Sequence, residues 1–397
     1  MTLLQAIYIP PAVRGFESTA PAGAVFDVAW VGEHVTTIEP CAPGTEAQGL
    51  LLPTLVDLHL HLDKTHTVHE TGAANGDLFR AIEMIAQHRE TWTEADLRLR
   101  MERGLQASWR SGVRALRTHL DWMGSERPLS VSVLSDLRTQ WRDRLDIQWV
   151  SLTALDLFDN MTWARGMALQ VKSMGGVLGC FIYRNDALKR KLQSVFELAA
   201  ELDLDMDFHV DEGLDVDAHG LRTIAELTLA HGWQGRVVCG HACSLSVQPI
   251  EQARDTLGLL AQADITLTAL PTTNLYLQGS WSETPVQRGI TRLQEARQMG
   301  VRTCIASDNV ADPFFPYGCY DPLEAWALGV QMAHLAPAQD WLDTVTVAPA
   351  QAMKLAWDGR LAPGCPADFV LLSAHNGFQA MTPAGRHRRI HRQGHWL

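Results

Sequence analysis

Through the middle of the chain, short apolar runs alternate with longer amphipathic stretches. The runs cover 52–62, 113–122, 147–155, 177–183, 204–210, 236–241, 265–270 and 301–307. Between them, segments such as 94–110, 188–202, 220–231 and 291–299 carry apolar residues at helical spacing. A strand–helix unit repeated in this way predicts a parallel (β/α)8 TIM barrel. An open doubly wound sheet alternates similarly. No Gly-x-Gly-x-x-Gly follows a strand, however, which removes the best reason to prefer a dinucleotide fold. The two ends have another texture. Segments 26–31 and 35–38 read as short strands between Pro and Gly turns, and so do 367–372 and 389–392. The pattern predicts a small β-sandwich-like domain built from residues 1–52 and 360–397, with the barrel occupying 53–359.

Composition narrows the function. Of 397 residues, 46% are hydrophobic and 20% charged, enough for a large core and incompatible with wholesale disorder. Lys and Arg total 33 against 45 Asp and Glu, a formal charge of −12. Such a chain is poorly suited to nucleic acid or anionic membranes. No apolar run approaches the ~20 residues of a membrane span. No basic segment followed by an apolar stretch opens the chain, so no secretory signal is visible. Seven scattered cysteines read as reduced thiols. The expectation is a cytoplasmic protein with a small-molecule partner. Its 16 histidines draw attention to metals.

The candidate chemistry lies at the ends of the apolar runs. His59 and His61 alternate on one strand, so both imidazoles face one side. His209 ends the fifth run, with Glu212 three residues on. His241 ends the sixth, and Asp308 follows the eighth. Barrel active sites are built on the rim formed by strand C-termini, and these side chains are metal ligands by type. One such end means little. Four on one rim point to a metal site.

These residues, with Arg117-Thr118-His119-Leu120-Asp121, Ser307-Asp308-Asn309, Asp312-Pro313 and Gly364-Cys365-Pro366-Ala367-Asp368, resemble the amidohydrolase superfamily. The branch they resemble is that of cytosine deaminase, with likeness also to N-isopropylammelide hydrolase. The resemblance implies a hydrolase acting on C–N bonds other than peptide bonds. It makes His59, His61, His209 and Asp308 ligands of one divalent ion, Zn or Fe(II). It makes Glu212 the proton shuttle, places His241 beside the catalytic water, and gives Asp308 a second role as base. Binuclear relatives carry a bridging Lys or Glu on strand four; the run 177–183 has neither, which favours a single ion. The relatives are commonly oligomeric.

The same resemblance locates departures at the substrate. Ala154 stands where cytosine deaminases carry a glutamine, Asn309 replaces a second aspartate, and Phe314 replaces a tryptophan. Lys64 is a further candidate contact. The sequence therefore predicts a deaminase releasing ammonia from a small aminated N-heterocycle or cyclic amidine, with cytosine a poor substrate. The alternatives are a hydrolase that releases an alkylamine or opens a ring amide, and a metal-binding protein without turnover. His119 and Asp121 end strand two and read either as supports of the site or as buried polar groups.

Overall fold

Fifteen strands are present in the computed structural model, which describes residues 2–21 and 23–397. Four come first: β1 (Thr2–Tyr8), β2 (Val25–Val31), β3 (His34–Pro40) and β4 (Gly49–Pro53). Eight follow: β5 (Leu55–Leu60), β6 (Val113–Asp121), β7 (Asp146–Ala154), β8 (Val177–Ile182), β9 (Met206–Val210), β10 (Val237–His241), β11 (Thr266–Ala269) and β12 (Arg302–Ile305). The last three are β13 (Phe369–Leu372), β14 (Arg388–Arg392) and β15 (His395–Trp396).

Strands β5 to β12 pair in chain order, all parallel. A bridge between Leu60 and Asp308 joins the last strand's end to the first. There the Asp308 N–H donates to the His59 carbonyl at 2.9 Å. The sheet is thereby closed into the barrel that the alternation predicts. The helices Leu188–Leu202 and Gly220–His231 have the expected bounds, and Glu94–Ser111 extends one residue beyond its expected end. The remaining seven strands form one mixed sheet in the order β15-β14-β13-β4-β1-β2-β3, so both chain ends build a single small unit. Among the described residues, no helix is long and apolar enough to cross a membrane.

One expectation fails. The run 52–62 is not a single strand, because Leu51, Leu52 and Pro53 pair with β13 in the terminal sheet while Leu55 begins the barrel. Both pieces are fully buried, so hydrophobicity carries no mark of the change of sheet.

Beyond β5 the chain makes an excursion before the helix Glu94–Ser111. It includes the helix Leu78–Arg89, whose first turn is capped by Asp77 accepting from the Arg80 N–H at 3.0 Å. Gly76 precedes the cap at φ 76°, and a Cβ there would fall 1.5 Å from the Trp281 indole nitrogen. Only glycine allows both the backbone turn and the contact.

Candidate active site

Four side chains from three strand ends converge. The Nε2 atoms of His59 and His209 lie 3.1 Å apart, and those of His209 and His61 lie 3.2 Å apart. Asp308 Oδ1 is 3.6 Å from His59 Nε2 and 3.3 Å from His61 Nε2. Ligands bound at about 2.0–2.1 Å around a tetrahedral ion are separated by about 3.4 Å, so these four atoms sit at ligand–ligand spacing. Burial, reinforced by the neighbouring imidazoles, pushes His59 and His209 well below the ordinary histidine pKa. Burial also pushes Asp308 up, but His61 and His241 hold it below the usual carboxylate value. Both Asp308 oxygens are buried without a hydrogen-bond partner. A buried carboxylate without a hydrogen-bond partner is costly when left uncompensated, and a cation among these four atoms would satisfy the whole set.

The local backbone explains the convergence. Asp57 accepts from the Ser307 N–H at 3.1 Å and from its hydroxyl at 2.5 Å, fastening the end of β12 to β5. Burial raises the Asp57 carboxyl to about 7. Asp308 and His241 both sit at positive φ, 62° and 71°. Each such position stores about 1–3 kcal/mol in a non-glycine residue, and strain of this kind clusters at functional sites. Gly240 completes the fit: a Cβ there would come within 3.0 Å of the His59 ring.

His119 belongs to the same cluster. Its ring is tilted against His59 with centroids 4.0 Å apart, and neither nitrogen has a hydrogen-bond partner. His59, His119 and His209 form a second group with metal-binding spacing, beside His59, His61 and Asp308. Burial and the neighbouring histidines push the His119 pKa far down.

Glu212 and His241 stand on the open side of the cluster. Burial, then the Asp308 charge, drives the Glu212 carboxyl well above the usual carboxylate value. Burial lowers the pKa of His241, against the pull of Asp308 and Asn274. Asn274, on the helix Pro271–Leu277, donates its Nδ2 to His241 Nδ1 at 3.0 Å and reaches Glu212 Oε1 at 3.4 Å. With Nδ1 accepting, the His241 proton resides on Nε2, which is buried and unpartnered.

A cleft of about 190 Å³ opens above these groups. His61, His209, Glu212 and His241 occupy one end. Leu78, Ile82, Ile85 and Ala86 from the helix Leu78–Arg89 form an apolar wall, and Met123, Leu152 and Phe181 continue it. Ala154, Asn309 and Phe314, the expected substrate positions, all line the cleft. Asn309 donates to Asp312 at 2.7 Å, which fixes its amide. Lys64 also lines the cleft, although it is buried and paired. It donates to Asp121 at 2.8 Å, approaches Asp63 at 3.5 Å and lies 3.2 Å from His61 Nδ1. Burial by itself lowers the Lys64 ammonium, and the two aspartates more than reverse this. All residues expected from the sequence thus meet at one rim. Asn274 and Arg89 were missed, and neither carries a sequence signal beyond its residue type.

The fold and rim geometry are those of the amidohydrolases, and the sequence comparison agrees: the amidohydrolase family model matches residues 70–391. The chain belongs to the amidohydrolase family and is a hydrolase acting on C–N bonds. It is 36% identical over 349 residues to the pterin deaminase of Rhizobium rhizogenes, covering 87% of this chain and 80% of that protein. It is 24% identical over 372 residues to the N-isopropylammelide isopropyl amidohydrolase of Pseudomonas sp. strain ADP, covering 88% of each. Among solved structures, the 5-methylcytosine deaminase of Klebsiella pneumoniae liganded with 5-fluorocytosine superposes with a TM-score of 0.86 at 25% identity, over 100% of this chain and 97% of that one.

Proposed function

We propose that the protein is a metal-dependent hydrolytic deaminase of an aminated N-heterocycle, with a pterin as the ring it takes. The observation that carries this reading is a buried Glu212, its carboxyl pKa raised by burial, facing the same cleft as the cluster of His59, His61, His209 and Asp308. The 36% identity to a pterin deaminase supports the ring assignment. Ala154 supports it too: a methyl group in place of a polar reader suits a ring larger than cytosine.

His59, His61, His209 and Asp308 hold the ion, Zn or Fe(II). When bound, the ion lowers the pKa of water toward ~7 and polarises the attacked centre. Asp308, with Oδ2 unpartnered, takes the water's proton. The Nε2–H of His241 stabilises the oxygen as it adds to the amidine carbon. Glu212 gives its proton to the ring nitrogen beside that carbon, relays the proton held by Asp308 to the amino group, and regains a proton from the hydroxyl on the added oxygen as the carbonyl forms. The C–N bond breaks, ammonia leaves, and the water oxygen becomes the product carbonyl. Glu212 serves these transfers because it is buried yet reaches the cleft.

Ammonia release from pterin, cytosine and an N-alkylated aminotriazine tests this directly. The metal-loaded protein should deaminate pterin at kcat/KM above about 10⁴ M⁻¹s⁻¹, the lower bound for ordinary enzymes, and turn cytosine over poorly. Efficient cytosine deamination refutes the pocket reading. Alkylamine release without ammonia favours the isopropylammelide-type reaction.

A further inference from the structure

Arg89 is the one charged residue among those of its helix that line the cleft; Leu78, Ile82, Ile85 and Ala86 are its neighbours there. An apolar wall interrupted by a guanidinium needs a reason, since a charge facing such a surface is costly unless it is paired. Asp121 is its only hydrogen-bond partner among the described residues, through Nη2. Nε is buried without a partner, and the guanidinium lies 5.6 Å from the Trp92 ring centroid.

Asp121 accepts from both Lys64 and Arg89, and Asp63 lies 3.5 Å from Lys64, so two cations meet two acids and the pairing with Asp121 still leaves most of the Arg89 donors unused. A guanidinium carries five N–H donors in a planar fork, and only the Asp121 bond is formed here. His61, Lys64, Asp121 and Arg89 form a chain of contacts leading away from the ligand cluster, so Arg89 stands at its remote end.

We propose that Arg89 selects the substrate by pairing with a carboxylate on the ring edge remote from the amino group. A fork of free N–H donors matches a carboxylate in two parallel bonds, and the apolar wall strengthens them by excluding water. The substrate class is then a heterocycle bearing both an amidine-type amino group and an anionic substituent. This rests on the deaminase reading above.

Steady-state rates of the metal-loaded enzyme on pterin, and on a pterin with a carboxylate on its pyrazine ring, test it. The carboxylated ring should be preferred at least tenfold in kcat/KM. Arg89→Met should lower that preference at least tenfold, through KM, and Arg89→Lys should restore part of it. A merely structural role lowers both substrates alike and leaves the ratio in place; that result overturns the proposal. Calorimetric binding of the two deaminated products separates the readings. Arg89-dependent preference for the carboxylated product without pterin turnover sinks the pterin reading and keeps the Arg89 assignment. Turnover of pterin with no preference in rate or binding does the reverse. Neither turnover nor preference rejects both.

Discussion

At the level of single residues, the site divides into groups that bear the chemistry and groups that orient them. In the proposed mechanism Glu212 carries the proton, so Glu212→Gln should keep any bound metal and lose turnover by about 10²–10⁴-fold, the usual share of a general acid–base group. Metal analysis alongside ammonia release checks this, and a rate within tenfold of wild type removes the role. In the same proposed mechanism Asn274 would act through His241. It donates to Nδ1 and so leaves the proton on Nε2. Partners of this kind are worth about 10–100-fold around metal sites. Asn274→Ala should lower kcat by that amount with metal content and KM little changed. A loss confined to KM would instead make Asn274 a substrate contact. The contact of Asn274 was not visible in the sequence, because Asn274 and His241 are 33 residues apart and on separate elements.

The strand ends and the helix Leu78–Arg89 contribute differently. The strands carry the ligands on a rigid frame, held together by the Asp57–Ser307 bonds and the Leu60–Asp308 bridge. The helix supplies the cleft's apolar wall from an excursion outside the barrel. Its N-cap is Asp77, and loss of a cap costs about 1 kcal/mol of helix stability. Asp77→Ala should therefore raise KM several-fold while leaving bound metal at the wild-type level, as titration of metal and substrate would show. Lost metal would mean that the helix also supports the ligand cluster. The strand–helix alternation was legible from short apolar runs set between amphipathic stretches. The helix's proximity to the cleft was not, since its apolar stripe reads like that of any helix packed on a barrel.

For the molecule as a whole, two effects on stability follow. The cluster of His59, His61, His209 and Asp308 joins β5, β9 and the end of β12, so a metal held there would stabilise the folded chain by linkage, about 4 kcal/mol at a thousandfold excess over Kd. Chelation should lower Tm by several degrees, and His61→Ala should lower it similarly and lose the response to chelator. An unchanged Tm in both would argue against a metal at these residues. The second effect concerns Asp121. Burial pushes its carboxyl up, but Lys64 and Arg89 pull it further down, to about 2 from 3.8. A carboxylate depressed in the folded state stabilises above its unfolded pKa and loses that contribution as pH falls through the folded value. The stability gap between wild type and Asp121→Asn should thus narrow by about 2 kcal/mol between roughly pH 5 and pH 2. Urea unfolding across that range measures it; a constant gap would deny the charge pairing.

What the sequence alone determined is what local periodicity can encode. Alternation placed His59 and His61 on one side of a strand, the strand–helix rhythm defined a barrel, and barrel ends defined a rim where His209, His241 and Asp308 had to meet. What depended on contacts between distant segments was decided only by the tertiary structure. The run 52–62 splits between two sheets, and because both bury it, hydrophobicity does not mark the break. His119 joins the ligand cluster by packing against His59, and Arg89 reaches the cleft because its helix lies over it. His59 and His209 touch across 150 residues of chain, a separation at which no repeat in the sequence fixes a partner. Side-chain type and spacing identify a possible ligand; only the closed sheet brings its lone pair to within about 3 Å of the others.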